Sequence, residues 1–248
     1  MEIVAALICG CFIGSVLGFV GAGGAMLSVP MLIYFFNFSA PIATTAALAI
    51  VIAAATSGLI PKFKSKDVLI REALIISSIG FTANVGSSLL AHSLSDKTIK
   101  TGFSIVLLIA ANTMLMKPVA GSQKKIPLLV LIVISLVIGT MTGLFGVGGG
   151  FLAIPILVLF FNNSQAKASG TSLLIIVLNS IIAFFAHHSL WNSVNWKIPL
   201  IMAISAVIVA RAASTKANTV NPRILRQTFA YLLFAIAIFT LIQSWLIS

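Results

Sequence analysis

The sequence predicts an all-α polytopic membrane protein made of two inverted-topology repeats, with short or broken helices at glycine-rich motifs. Three observations predict it. First, the 248 residues are 60% hydrophobic and only 8% charged, with mean hydropathy +1.17, whereas a soluble domain carries about 25% charge. Second, the apolar stretches run mostly near the roughly 20 residues that a spanning helix needs, and the short alternating strands of a β-barrel are missing. Third, the phrase GFVGAGGAMLSVP, from Gly18 to Pro30, returns as GLFGVGGGFLAIP, from Gly143 to Pro155.

Ten apolar segments can be drawn in order, at residues 3–20, 24–37, 41–60, 68–91, 98–116, 127–145, 149–162, 166–187, 196–216 and 224–247. The first starts at MEIVAALICG, which has an acid and no basic leader, so it reads as a membrane helix and not as a cleaved signal. Cys9 and Cys11 sit two apart on that helix and point to different sides, which argues against a disulfide or a shared metal. The connectors PKFKSKD, HSLSDK, KPVAGSQKK, NNSQAK, HHSLWNSVNW and KANTVNPR separate the segments. The connector KPVAGSQKKIP is the best midpoint, which divides the chain into membrane repeats at 1–120 and 121–248, about five helical segments each. Across it, Gly18, Gly21, Gly23, Gly24 and Pro30 fall on Gly143, Gly146, Gly148, Gly149 and Pro155, and SDKTIKTGF resembles NPRILRQTF. Such internal duplication in a membrane protein marks transporters assembled from two like halves.

Basic residues choose the topology. If each half crosses five times, one side receives Lys62, Lys64, Lys66, Arg71, Lys117, Lys124, Lys125, Lys167, Arg211, Lys216, Arg223 and Arg226, and the other only Lys97, Lys100 and Lys197. That is twelve against three, a strong positive-inside bias. If the glycine phrases make no crossing, the split is eight against seven. Ten crossings are therefore favoured over eight, with both termini outside the cytoplasm. The net charge of +11 belongs to this topology and not to nucleic-acid binding, since no basic face is interleaved with aromatics.

The segments 24–37 and 149–162 have 14 residues each, about 21 Å as helix, short of a hydrocarbon core of about 30 Å. Non-helical backbone in a membrane needs protein or a water-filled cavity around it. Glycine permits that backbone, and the helix start that follows offers free N–H groups and partial positive charge. Two such starts related by inversion would make an anion site near the midplane from Gly21, Gly23 and Gly24 together with Gly146, Gly148, Gly149 and Gly150. Close helix packing is the competing use of small residues. Neutral ligands come from the next helices: Thr44 and Thr45 in the first half, and Thr171, Ser172 and Asn179 in the second, with 172 and 179 on one face. Arg211 lies within an apolar segment, where it either attracts an anion or snorkels to the cytoplasmic surface. His187 and His188 end a segment on the outer side. No carboxylate lies mid-segment, so a carboxylate proton relay is missing.

The paired G-x-x-G-x-G-G phrases ending in Pro, the following A-x-x-T/S-x-L stretch and the two-repeat layout resemble the sulfite exporter TauE/SafE family of membrane permeases. The similarity covers nearly the whole chain. It implies a bacterial inner-membrane secondary transporter for small sulfur-containing anions such as sulfite or organosulfonates. The partners it implies are an anionic substrate and the lipid bilayer, with protons a candidate coupling ion and room for a homo-oligomer. No cofactor, metal, catalytic residue or enzymatic activity is expected. Half one departs from the pattern, with Ala25 where half two has Gly150 and Ala46-Ala47 where it has Thr171-Ser172. Two rival readings are a passive small-anion channel and an intramembrane hydrolase. The hydrolase reading lacks its Gly-x-Ser-Gly nucleophile, because no glycine follows Ser172.

Overall fold

The computed structural model describes residues 1–91, 96–115, 127–145, 153–154, 157–158, 164–217, 219–243 and 245. Helix is the regular structure among them, and none of the described residues is in a strand. The long helices are α1 (Glu2–Val20), α2 (Gly24–Phe36), α3 (Ala40–Lys64), α4 (Ile70–Ala91), α5 (Asp96–Leu115), α6 (Leu128–Phe145), α7 (Gln165–Ala186), α8 (Lys197–Ala217) and α9 (Pro222–Ile242), with a 3-10 helix at His188–Ser193 between α7 and α8. The physical reason is general: in lipid every backbone polar group must be satisfied within its own segment. Among the described residues, five stretches are long and apolar enough to cross a bilayer: Glu2–Val20, Pro41–Lys64, Gln165–Ala186, Lys197–Ala217 and Arg223–Ile242. The chain is a multi-pass membrane protein.

These helices coincide with nine of the ten expected segments. The expected segment 149–162 falls mostly outside the described residues; within it, 153–154 and 157–158 are helical. One boundary differs. The connector PKFKSKD begins as helix, because Pro61 forgoes a single donor while the Ser65 N–H still reaches the Pro61 carbonyl at 3.0 Å.

The chain forms two compact units. The first comprises Met1–Ala73 and Ala166–Thr219, the second Leu74–Gln165 and Val220–Ser248, so each takes helices from both halves of the sequence. In the first unit α1 lies along α8 with matching direction. Gly10 meets Met202 and Ser205, Gly14 meets Ala206, and Gly18 meets Ala210 and Ala213. A methyl on Gly14 would fall 2.5 Å from the Ala206 carbonyl oxygen, so the backbones touch because no side chain intervenes. Helix α3 joins this pair through two hydrogen bonds from hydroxyls to backbone: Ser57 Oγ donates to the Val207 carbonyl at 2.9 Å and Ser214 Oγ to the Gly58 carbonyl at 2.6 Å.

These contacts gather the ends of α1, α3 and α8 with the starts of α2 and α7. At that end stand Lys62, Lys64, Lys66, Arg71, Lys167, Arg211 and Lys216; among the described residues of this unit, Lys197 stands alone at the other. The positive-inside rule assigns the first end to the cytoplasm. The opposite end carries an aromatic cluster suited to a membrane interface. Phe184 and Trp191 stack with centroids 4.6 Å apart, and the Trp196 indole donates to the Trp191 carbonyl at 3.0 Å.

Within the second unit, α4 and α6 meet glycine to glycine: a methyl on Gly139 would lie 2.7 Å from the Gly80 Cα. Helices α5 and α9 also pair there, with the Trp245 indole donating to Thr101 Oγ1 at 3.2 Å.

Candidate functional site: the glycine turn and the polar face of α7

Helix α1 ends where Gly21 turns left-handed, at φ 83°, and its N–H closes on the Leu17 carbonyl at 2.8 Å. Gly23, at φ 87°, starts α2. Both values lie where a Cβ collides with the following carbonyl, so glycine is the residue that fits. The turn is buried from Gly21 to Gly24.

The 19 residues of α1 span about 28 Å, and the 13 of α2 about 20 Å. The turn therefore closes a helix that is itself of crossing length, and it sits at the basic end of the unit. The sequence predicts a site near the midplane because the segment following the phrase is short; the segment preceding it is of crossing length.

The turn is packed against α7. A methyl on Gly21 would lie 2.6 Å from the Ser169 carbonyl oxygen and 2.7 Å from its Cα, and Leu17 fills the space beside Gly24. Ser169 is 2% exposed, and its hydroxyl has no hydrogen-bond partner. Ser180, 1% exposed and three turns along the same helix, is in the same state. Ser172 is fully buried and Asn179 half-buried. At 100° per residue, Ser169, Ser172, Asn179 and Ser180 fall within an arc of about 100°. Thr171 lies on the other side of the helix. Its hydroxyl donates to the Lys167 carbonyl at 2.7 Å and accepts the Leu69 N–H at 3.0 Å. It latches the loop after α3 onto α7 and has its donor already in use.

The same loop carries Asp67, which accepts from Ser65 Oγ at 2.6 Å. Lys62 is only 1% exposed, a charge the sequence offered merely as one of a loop's basic residues. The signal was Asp67 five residues on: the chain folds back so that the Asp67 N–H bonds the Lys62 carbonyl at 2.9 Å, and that carboxylate offsets the cost of burying the ammonium. Lys62, Lys64 and Arg211, with Ser65, Ser214 and Thr215, line an open cleft of about 460 Å³. Arg211 is exposed and also borders a second cleft of about 420 Å³, beside Ser57 and Val207. Its guanidinium is thus at the surface of the basic end.

At the far end, Thr45 is fully buried, donates to the Pro41 carbonyl at 2.9 Å and lies 3.0 Å from His187 Nδ1. Burial holds the His187 imidazole below its usual range. Thr44 is half-buried on the neighbouring position of α3.

Gly21, Gly23, Gly24, Ser172, Asn179 and Arg211 therefore stand in one unit, with Thr45 and Thr171 each hydrogen-bonded elsewhere in it. Gly146, Gly148, Gly149 and Gly150 lie outside the described residues.

The sequence profile described as Sulfite exporter TauE/SafE matches residues 6–240. The chain belongs to the sulfite exporter TauE/SafE family. Relatives carry the same broad assignment. A probable membrane transporter protein of Xylella fastidiosa is 24% identical over 95% of this chain and 94% of its own length. One from Bacillus subtilis is 24% identical over 79% of this chain and 81% of its own. A third, from Methanocaldococcus jannaschii, is 34% identical, over 44% of this chain and 43% of that relative. This TauE/SafE protein is accordingly a membrane transporter, and an inner-membrane location is consistent with its crossings.

Proposed function

We propose that this transporter is a secondary permease for small sulfur-containing oxyanions, sulfite or organosulfonates, and that it performs no covalent chemistry. The observation that carries the reading is the family match over residues 6–240. The chemistry of the first unit supports it. A basic cleft with Lys62, Lys64 and Arg211 would concentrate an anion at the cytoplasmic mouth. Behind it come the start of α2 and the hydroxyl and amide face of α7, neutral donors that hold an oxyanion without trapping it as a buried cation would.

The division into repeats at 1–120 and 121–248 also has support. Gly14 on α1 meets Ala206 on α8, and Gly139 on α6 meets Gly80 on α4. Adding the repeat spacing of 125 or 126 takes Gly14 to Gly139 and Gly80 to Ala206. Equivalent positions thus make equivalent close crossings in the two units.

The test is transport in liposomes with labelled sulfite, an alkylsulfonate, sulfate and chloride, with and without a proton gradient. Sulfite or sulfonate should accumulate, and Arg211→Gln should raise KM several-fold with little change in kcat, since the guanidinium attracts the anion at the mouth. Failure of every sulfur oxyanion to move would overturn the reading.

A further inference from the structure

The hydroxyls of the apolar helices follow a pattern with informative exceptions. Ser28 donates to the Gly24 carbonyl, Thr45 to Pro41, Ser135 to Leu131, Thr171 to Lys167 and Thr240 to Ile236, each one turn back. This is the ordinary way a hydroxyl is satisfied on a membrane helix. Ser169 and Ser180 do not do it. Both are at least 98% buried, on the same helix, and neither hydroxyl has a partner. Ser77 on α4 is the other serine in this state among the described residues. A buried hydroxyl without a partner is unfavourable, and it persists where water or a ligand satisfies it in some state of the protein.

We infer that the face of α7 bearing Ser169, Ser172, Asn179 and Ser180 lines the route of the transported anion. The face is shut in this structure and becomes wet during the transport cycle. The proposal rests on the permease reading above and gives it a wall. The occupants are water and a small oxyanion, recognised by neutral O–H and N–H donors. The two unpartnered hydroxyls lie 11 residues apart, about 16 Å along the helix, and so mark a route and not a single pocket. At one end of it Ser169 abuts the backbone of the Gly21 turn. Thr171, on the opposite side of α7 with its hydroxyl donor committed, is outside the route.

Thiol accessibility tests this. The chain has two cysteines, Cys9 and Cys11, so a Cys9→Ala/Cys11→Ala background is silent to thiol reagents. Into it go Ser169→Cys, Ser172→Cys, Ser180→Cys and, as control, Val177→Cys, buried at 8% exposure but about 110° round the helix from the centre of the polar face. The full-length protein is reconstituted in liposomes and treated with a membrane-impermeant methanethiosulfonate. The polar-face thiols should react about tenfold faster than the control, the factor for one pKa unit of thiolate availability between a wetted and a desolvated site. Equal rates at all four positions would overturn the proposal. If packing against Gly21 prevents Ser169→Cys from folding, Ser172→Cys and Ser180→Cys still decide it. Added sulfite separates the two ideas. Protection from labelling ties the route to that substrate, whereas rapid labelling without protection keeps the route and overturns the substrate.

Discussion

At the residue scale, two glycines and one histidine carry the sharpest expectations. Gly21 and Gly23 hold left-handed backbone, which costs an L-residue about 1–2 kcal/mol. Gly21→Ala adds a collision with the Ser169 backbone and should lower the Tm of the detergent-solubilised protein by more than the left-handed strain alone would. His187 should give the protein an acid limb. Its folded pKa lies below the ordinary 6.5 because burial disfavours the imidazolium. The unfolded chain therefore binds more protons between the folded value and 6.5. Stability from this source is full above 6.5 and is lost as pH falls through the lowered folded value. Tm measured against pH should drop on acidification, and His187→Gln, which does not titrate, should flatten that limb. The sequence showed the glycines but not the histidine's role. Thr45 and His187 are 142 positions apart, and nothing local in either stretch announces that they meet.

At the scale of elements, α1 against α8 and α4 against α6 meet backbone to backbone, and glycines sort by what faces them. Gly14→Leu should separate α1 from α8 and prevent accumulation of folded protein, because the Ala206 carbonyl occupies the space. Gly86 on α4 has open space where a methyl would go, with nothing within 4 Å. Gly86→Ala should therefore leave Tm unchanged or raise it through a helix-propensity gain of up to about 1 kcal/mol. The pair of measurements distinguishes packing glycines from incidental ones on the same background. Ser214→Ala removes a buried bond to the Gly58 carbonyl and should cost about 0.5–1.5 kcal/mol, again read as Tm. Helix positions were legible because a lipid-spanning segment must be both long and oily. Pairings were less so: Gly10, Gly14 and Gly18 show a four-residue spacing that promises a close neighbour without saying which helix supplies it.

At the scale of the whole molecule, the composition was decisive for the class and the doubled glycine phrase for the family. The compact units were not legible, since each draws helices from both halves of the chain, and sequence repetition reports ancestry of segments and not where they pack. The orientation drawn from charge has a direct check. In sealed, right-side-out membrane vesicles, Lys66→Cys in the cysteine-free background should stay unlabelled by an impermeant thiol reagent until the membrane is opened. Asn195→Cys, next to Trp196, should label at once.

At Gly10, Gly14 and Gly18 the main chain of α1 comes directly against the main chain of α8, with Ser205 Oγ and the Ala213 methyl beside it. A relative shift of these two spans would have to break three close backbone approaches together, so they are best placed to move as one body.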